Sequence, residues 1–146
     1  MSLLHGALTE QIIGAAFEVY RHLGYGFLEK VYQRAMFVEL RLRNLSVSLE
    51  PDAEVFFKDV QVGHYAADLL VEGKVLVELK VASELHNADL AQLINELHVL
   101  RREVGLLINF GRKGVEFKRA VHAQASSPSS DSAEIPACSP LPPCEP

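Results

Sequence analysis

Two carboxylates and an amine stand close together in one short stretch, Asp68-Leu69-Leu70-Val71-Glu72-Gly73-Lys74-Val75-Leu76-Val77-Glu78-Leu79-Lys80. Glu78 and Lys80 are two apart in a run with strand character. They therefore face one way while Val77, Leu79 and Val81 face the other. Whether Asp68 joins them depends on the turn. A two-residue Glu72-Gly73 turn sets Asp68 opposite Val77 and points it away, whereas a three-residue loop with Gly73 at positive φ brings it to the Glu78 face. A metal site thus predicts an odd-length loop. Two converging carboxylates repel unless a cation lies between them. Mg²⁺, with Mn²⁺ as substitute, suits such a site, because it takes one or two carboxylates together with waters and phosphate oxygens. Asp68 and Glu78 are the candidate metal ligands. Lys80 is the candidate catalytic amine, placed to hold a water and to stabilise charge developing on a phosphate. From spacing alone the same residues also suit an ordinary strand with a turn aspartate. Against that, Glu78 ends a run apolar on both faces, where an unpaired charge is expensive.

The elements that must position this hairpin are legible on either side of it. Ile12, Ile13, Ala16, Phe17 and Tyr20 recur at helical spacing after Thr9, and Leu23-Gly24-Tyr25-Gly26 ends that helix. A second helix is expected from Leu28 to Leu42, with Leu28, Val31, Ala35, Val38 and Leu42 as its inward stripe. Strands are expected at Val47–Leu49, Val55–Phe57, Tyr65–Val71 and Lys74–Val81. A helix carrying Leu90, Leu93, Ile94, Leu97 and Leu100 follows, then strands at Gly105–Phe110 and Val115–Val121. Val75-Leu76-Val77 has the double-faced apolarity of a central strand. Interleaved helices and strands of this kind give an α/β sandwich.

The composition bounds what such a fold can do. A chain of 146 residues makes one domain, expected over 1–123. From 124 to 146 the sequence turns rich in Ser and Pro, a composition expected to stay disordered. Both cysteines, Cys138 and Cys144, fall in that tail, which excludes a disulfide framework or thiolate zinc site from the folded part. The net charge is −5, and 1–123 holds 16 acids against 14 bases. That balance argues against coating nucleic acid by charge alone. It leaves local basic contacts at Arg101-Arg102, Arg112-Lys113 and Lys118-Arg119, each of which also reads as an ordinary solvated pair. No apolar run is long enough to span a bilayer and no signal peptide opens the chain, so a cytoplasmic protein is expected. Gly24-Tyr25-Gly26 lacks the Lys and Ser/Thr of a phosphate-cradling loop, which excludes a P-loop nucleotide hydrolase. The six histidines show no metal-ligand spacing; His64 is either a substrate contact or an exposed strand-entry residue.

Four blocks in order, Gly26-Phe27-Leu28-Glu29-Lys30-Val31-Tyr32, Ala67 to Lys80, Ala91-Gln92-Leu93 and Gly105 to Phe110, resemble the GxxExxY proteins of the PD-(D/E)XK nuclease superfamily. The resemblance runs from about residue 7 to 121. It implies a restriction-endonuclease-like core, a mixed β-sheet flanked by helices. It also implies that Asp68, Glu78 and Lys80 are the active-site positions, joined by Glu29 from an N-terminal helix and Gln92 from the helix after the hairpin. Without the resemblance, Glu29 reads as a first-turn helix acid and Gln92 as a polar neighbour of Leu93. Tyr32, one turn beyond Glu29, either orients that carboxylate or is a core tyrosine. The chain departs from its relatives at Ala66, Asp89 and Glu96, and an extra acid at 89 or 96 is expected to weaken phosphate binding.

The expected function is Mg²⁺-dependent phosphodiester hydrolysis in nucleic acid, DNA ahead of RNA. Superfamily members that cut both strands often dimerise, but no residue here marks a homodimer face. The competing expectation is a catalytically silent nucleic-acid- or protein-binding module that keeps the fold, which separated acidic side chains would favour.

Overall fold

Val75, Leu76 and Val77 are completely buried in the middle of a five-stranded sheet. The computed structural model describes residues 3–123, so the expected 124–146 tail and its two cysteines lie outside the described residues. The elements run α1 (Gly6–Leu23), α2 (Glu29–Leu42), β1 (Val47–Leu49), β2 (Asp52–Phe57), β3 (Val60–Ala66), β4 (Leu69–Val71), β5 (Val75–Lys80), α3 (Asn87–Leu100), β6 (Val104–Gly111) and β7 (Gly114–Val121). The sheet order is β1-β4-β5-β6-β7, with β5 and β6 parallel and every other pair antiparallel. Parallel neighbours need a crossover, and α3 supplies it. A mixed sheet flanked by helices is the restriction-endonuclease-like architecture expected. Among the described residues no helix is long and apolar enough to cross a membrane.

Alternation along β5 assigns its two faces. Val75, Val77 and Leu79 pack with Ile12, Ala16, Tyr32 and Met36 of α1 and α2, while Leu76 packs with Leu93 and Leu97 of α3. Glu78 and Lys80 continue the α3 face. Gly105 on β6 lets α3 come close: a Cβ there would lie 3.0 Å from Leu93 Cδ1. Gly105→Val should therefore destabilise the protein by about 1–3 kcal/mol, read as a lowered urea midpoint; an unchanged midpoint would show that α3 has room to withdraw.

Three expected features differ. In α2 the inward face is Tyr32, Gln33, Met36 and Leu40, while Leu28 and Leu42 are 79% and 72% exposed. Both sets have helical spacing. The rotation that wins stacks Tyr32 on Phe110 with ring centroids 4.4 Å apart and brings Gln33 to the backbone of Asp68. Along α1, likewise, Phe17 is half exposed and Ala15 and Val19 are buried instead. The expected strand Tyr65–Val71 is two strands broken at Ala67-Asp68, because β1–β2 and β3–β4 form one long antiparallel ribbon that bends there. Ala67 N donates to Pro51 O (3.0 Å), Glu50 N donates to Asp68 O (3.0 Å), and Glu50 turns at φ 50°. Beyond the bend, β2 and β3 leave the main sheet as a separate ribbon. There His64 pairs with Asp52 at 2.8 Å, both exposed, as a strand residue.

Candidate metal centre

The turn between β4 and β5 decides where Asp68 points. Val71 pairs with Val75, so Glu72, Gly73 and Lys74 form a three-residue loop, with Glu72 and Gly73 at φ 54° and 65°. The loop is odd in length. Leu69 pairs with Val77, which sets Asp68 across from Glu78 on the α3 face. Asp68 is then fixed from every side. Its N–H donates to Val77 O (3.2 Å), its carbonyl accepts from Glu50 N and from Gln33 Nε2 (3.1 Å), and its Oδ2 accepts from Leu79 N (2.7 Å). The bend in the ribbon serves to seat this one carboxylate.

Glu78 is only 5% exposed, and facing it from α3 is Glu96, which is completely buried. Glu96 Oε1 accepts from Gln92 Nε2 at 3.0 Å. Glu78 Oε2 and Glu96 Oε2 are buried with no donor among the described residues when both groups are ionised. Burial is the largest influence on Glu78, followed by its hydrogen bond to Glu96 and the charge of Asp68; together they push its pKa up to about 11. Burial and its acidic neighbours thus favour the protonated form of Glu78 when no cation is present, and that proton would supply the missing donor. Asp68 is also raised, by burial first, against the opposing effects of the Leu79 N–H, the Glu78 hydrogen bond and Lys80.

Glu29 opens α2 and meets these residues at the end of the sheet where β5 finishes. Carboxylate oxygens of Glu29, Asp68 and Glu78 all lie within 4.8 Å of one another. Burial and the Asp68 charge raise the pKa of Glu29, and Lys80 lowers it. Lys80, half-buried at the end of β5, thus acts electrostatically on both Glu29 and Asp68. Asn109, buried opposite it on β6, clasps Ala82 through both its N–H and its carbonyl (2.9 Å each), which fixes the chain just past Lys80.

Gln92 is tied through Nε2 to Glu96, the buried acid that faces Glu78. Tyr32 is a core tyrosine: its hydroxyl donates to Gly24 O and accepts from Phe27 N, holding the loop before Glu29. Asp89 is used in capping α3, accepting from His86 N at 2.9 Å. Glu96, by contrast, is completely buried. Sequence reasoning gave no role to Gln33 or Asn109 and read Glu96 only as an unwelcome charge.

The family model for the PD-(D/E)XK nuclease superfamily matches residues 6–120, nearly all of the described chain. The chain belongs to the PD-(D/E)XK nuclease superfamily. No curated protein matches it. Among solved structures it is similar to the crystal structure of SSO0001, at a TM-score of 0.49 and 16% sequence identity, over 82% of this chain and 60% of that one. The chain thus spans about three fifths of that structure's length.

PD-(D/E)XK nucleases typically use divalent metals, and the residues present fit one. Three oxygen-donor side chains converge, all three have raised pKa values, and Glu78 Oε2 lacks a donor once ionised. Hard divalent cations take such donors. A cation there would replace the Glu78 proton and offset the burial that raises all three carboxyls, together with the repulsion of Glu29 by Asp68.

Proposed function

We propose that this protein is a Mg²⁺-dependent nuclease that hydrolyses phosphodiester bonds in DNA, with RNA as the second candidate, and that it falls among the GxxExxY proteins of its superfamily. The observation that carries the reading is the convergence of Glu29, Asp68 and Glu78 within 4.8 Å beside Lys80. Asp68 and Glu78, with Glu29 as the additional acid, would hold the ion, which when bound supplies Lewis-acid polarisation of the phosphate and a more acidic water. The chain's own residues do the rest. Lys80 orients the attacking water and balances negative charge gathering on the phosphate oxygens. Gln33 and the Leu79 N–H fix Asp68. Gln92, through Glu96, braces Glu78 from α3.

The test needs no guess about substrate sequence. Calorimetric titration of Mn²⁺ should show saturable binding to the wild type that weakens at least about tenfold in Asp68→Ala, as loss of a carboxylate partner at a divalent site predicts. No saturation at millimolar Mn²⁺, with and without a DNA oligonucleotide, would leave the silent binding module as the better reading.

A further inference from the structure

Arg112-Lys113, one of the basic pairs noted in the sequence, forms the turn between β6 and β7, and a groove of about 680 Å³ opens beside it. Its side-chain lining includes Tyr25, Ser83, Glu84, Arg112, Lys113 and Glu116. Three loops build it, and each is tied down. Tyr20 Oη donates to Gly111 O (2.7 Å) and Tyr32 Oη to Gly24 O; Asn109 holds both Ala82 and, through Nδ2, Glu116 Oε1 at 3.1 Å. The Arg112 guanidinium lies 5.8 Å from the centroid of the Tyr25 ring, which is 42% exposed.

The groove lies at the same end of the sheet as the carboxylates, since β5 and β6 run parallel and Lys80 pairs with Asn109 just before the β6–β7 turn. Ser83 is three residues past Lys80 and Tyr25 four before Glu29, so neither tether exceeds about 10–14 Å. Its volume is within the roughly 300–1,000 Å³ range of ligand sites, and its chemistry is mixed. Two cations suit a phosphate, and the partly exposed Tyr25 ring, with Arg112 over one face, suits a base on the other. Two carboxylates would repel a bare phosphate backbone but can accept from the amino and imino N–H groups of a base edge. A base paired within a duplex has its face covered and its edge engaged.

We propose that this groove seats an unpaired nucleotide of the substrate strand next to the cleaved phosphate, with its base on Tyr25 and its phosphate at Arg112 and Lys113. The proposal rests on the nuclease reading above and deepens it: the preferred substrate has a single-stranded segment at the cut.

The test is fluorescence anisotropy of a labelled DNA strand of about 12 nucleotides, single-stranded or as a blunt duplex, with the full chain in Ca²⁺ across a salt series. The wild type should bind the single strand more tightly than the duplex. Tyr25→Ala should weaken single-strand binding about tenfold while Tyr25→Phe keeps it. Arg112→Ala/Lys113→Ala should flatten the log K against log salt slope by about 0.7, the share of the one phosphate the pair holds. Mn²⁺ titration should be unchanged in all three variants, which separates the groove from the carboxylates. Wild-type binding that none of the variants alters would overturn the groove assignment and leave the nuclease reading intact. A wild type that binds neither form would overturn both.

Discussion

Lys80→Ala is expected to lower single-turnover cleavage by about 10²–10³-fold, the usual cost of removing one preorganised donor from a reacting oxyanion. The substitution should leave the fold in place, because Lys80 ends β5 half-buried, outside both apolar clusters. Its ammonium is placed to act on charge, lowering the pKa values of both Glu29 and Asp68. Removing it takes a positive charge from a site that would hold a cation. Mn²⁺ binding in Lys80→Ala should therefore hold or tighten while cleavage collapses. That split separates a catalytic amine from a structural one: a merely structural lysine would lose metal and activity together. Quench-flow kinetics on a labelled substrate, beside calorimetry on the same preparation, gives both readings. Full activity in Lys80→Ala would sink the assignment of this residue.

The hairpin was readable in the sequence because its logic is local. Strand period places Glu78 with Lys80, and the one open question, the parity of the loop, reduces to whether Gly73 makes a two- or three-residue turn. The core strands were readable for a similar reason: runs such as Val75-Leu76-Val77 are apolar on both faces wherever they sit. What stayed hidden depends on tertiary choice. α2 carries two stripes of equal helical spacing, and only the stacking of Tyr32 on Phe110 and the reach of Gln33 to Asp68 select between them. The break at Ala67-Asp68 comes from the bend opposite it, at Glu50-Pro51, a partner many residues away. Glu96 did leave a signal. It falls between Leu93 and Leu97 on the stripe of α3, so an acid on a buried face could have been read as facing something that needs it.

That buried acid pair gives the metal-free protein an unusual dependence on pH. The folded pKa of Glu78 is about 11 against an ordinary value of 4.5, so between those values the folded state keeps a proton that the unfolded chain has released. The unfolded state then binds fewer protons, and stability is lost as pH rises, by at most about 1.4 kcal/mol per pH unit for one proton. The raised values of Asp68 and Glu29 act in the same direction. In EDTA the melting midpoint should fall steadily from mildly acid to mildly alkaline pH, and Glu78→Gln, which cannot ionise, should flatten that fall. Comparison with Glu78→Gln also removes the general self-repulsion of an acidic chain with pI near 5.7, since both proteins share it. Glu96→Gln should flatten the fall in part, because burial, the largest cause, remains. Mn²⁺ must displace the Glu78 proton to bind, so its stabilising effect should grow with pH, and that growth should shrink in Glu78→Gln. A midpoint that rises with pH in EDTA, or a slope that Glu78→Gln leaves untouched, would mean that Glu78 is ionised in the folded protein. In that case a cationic partner other than a metal would have to be holding its charge.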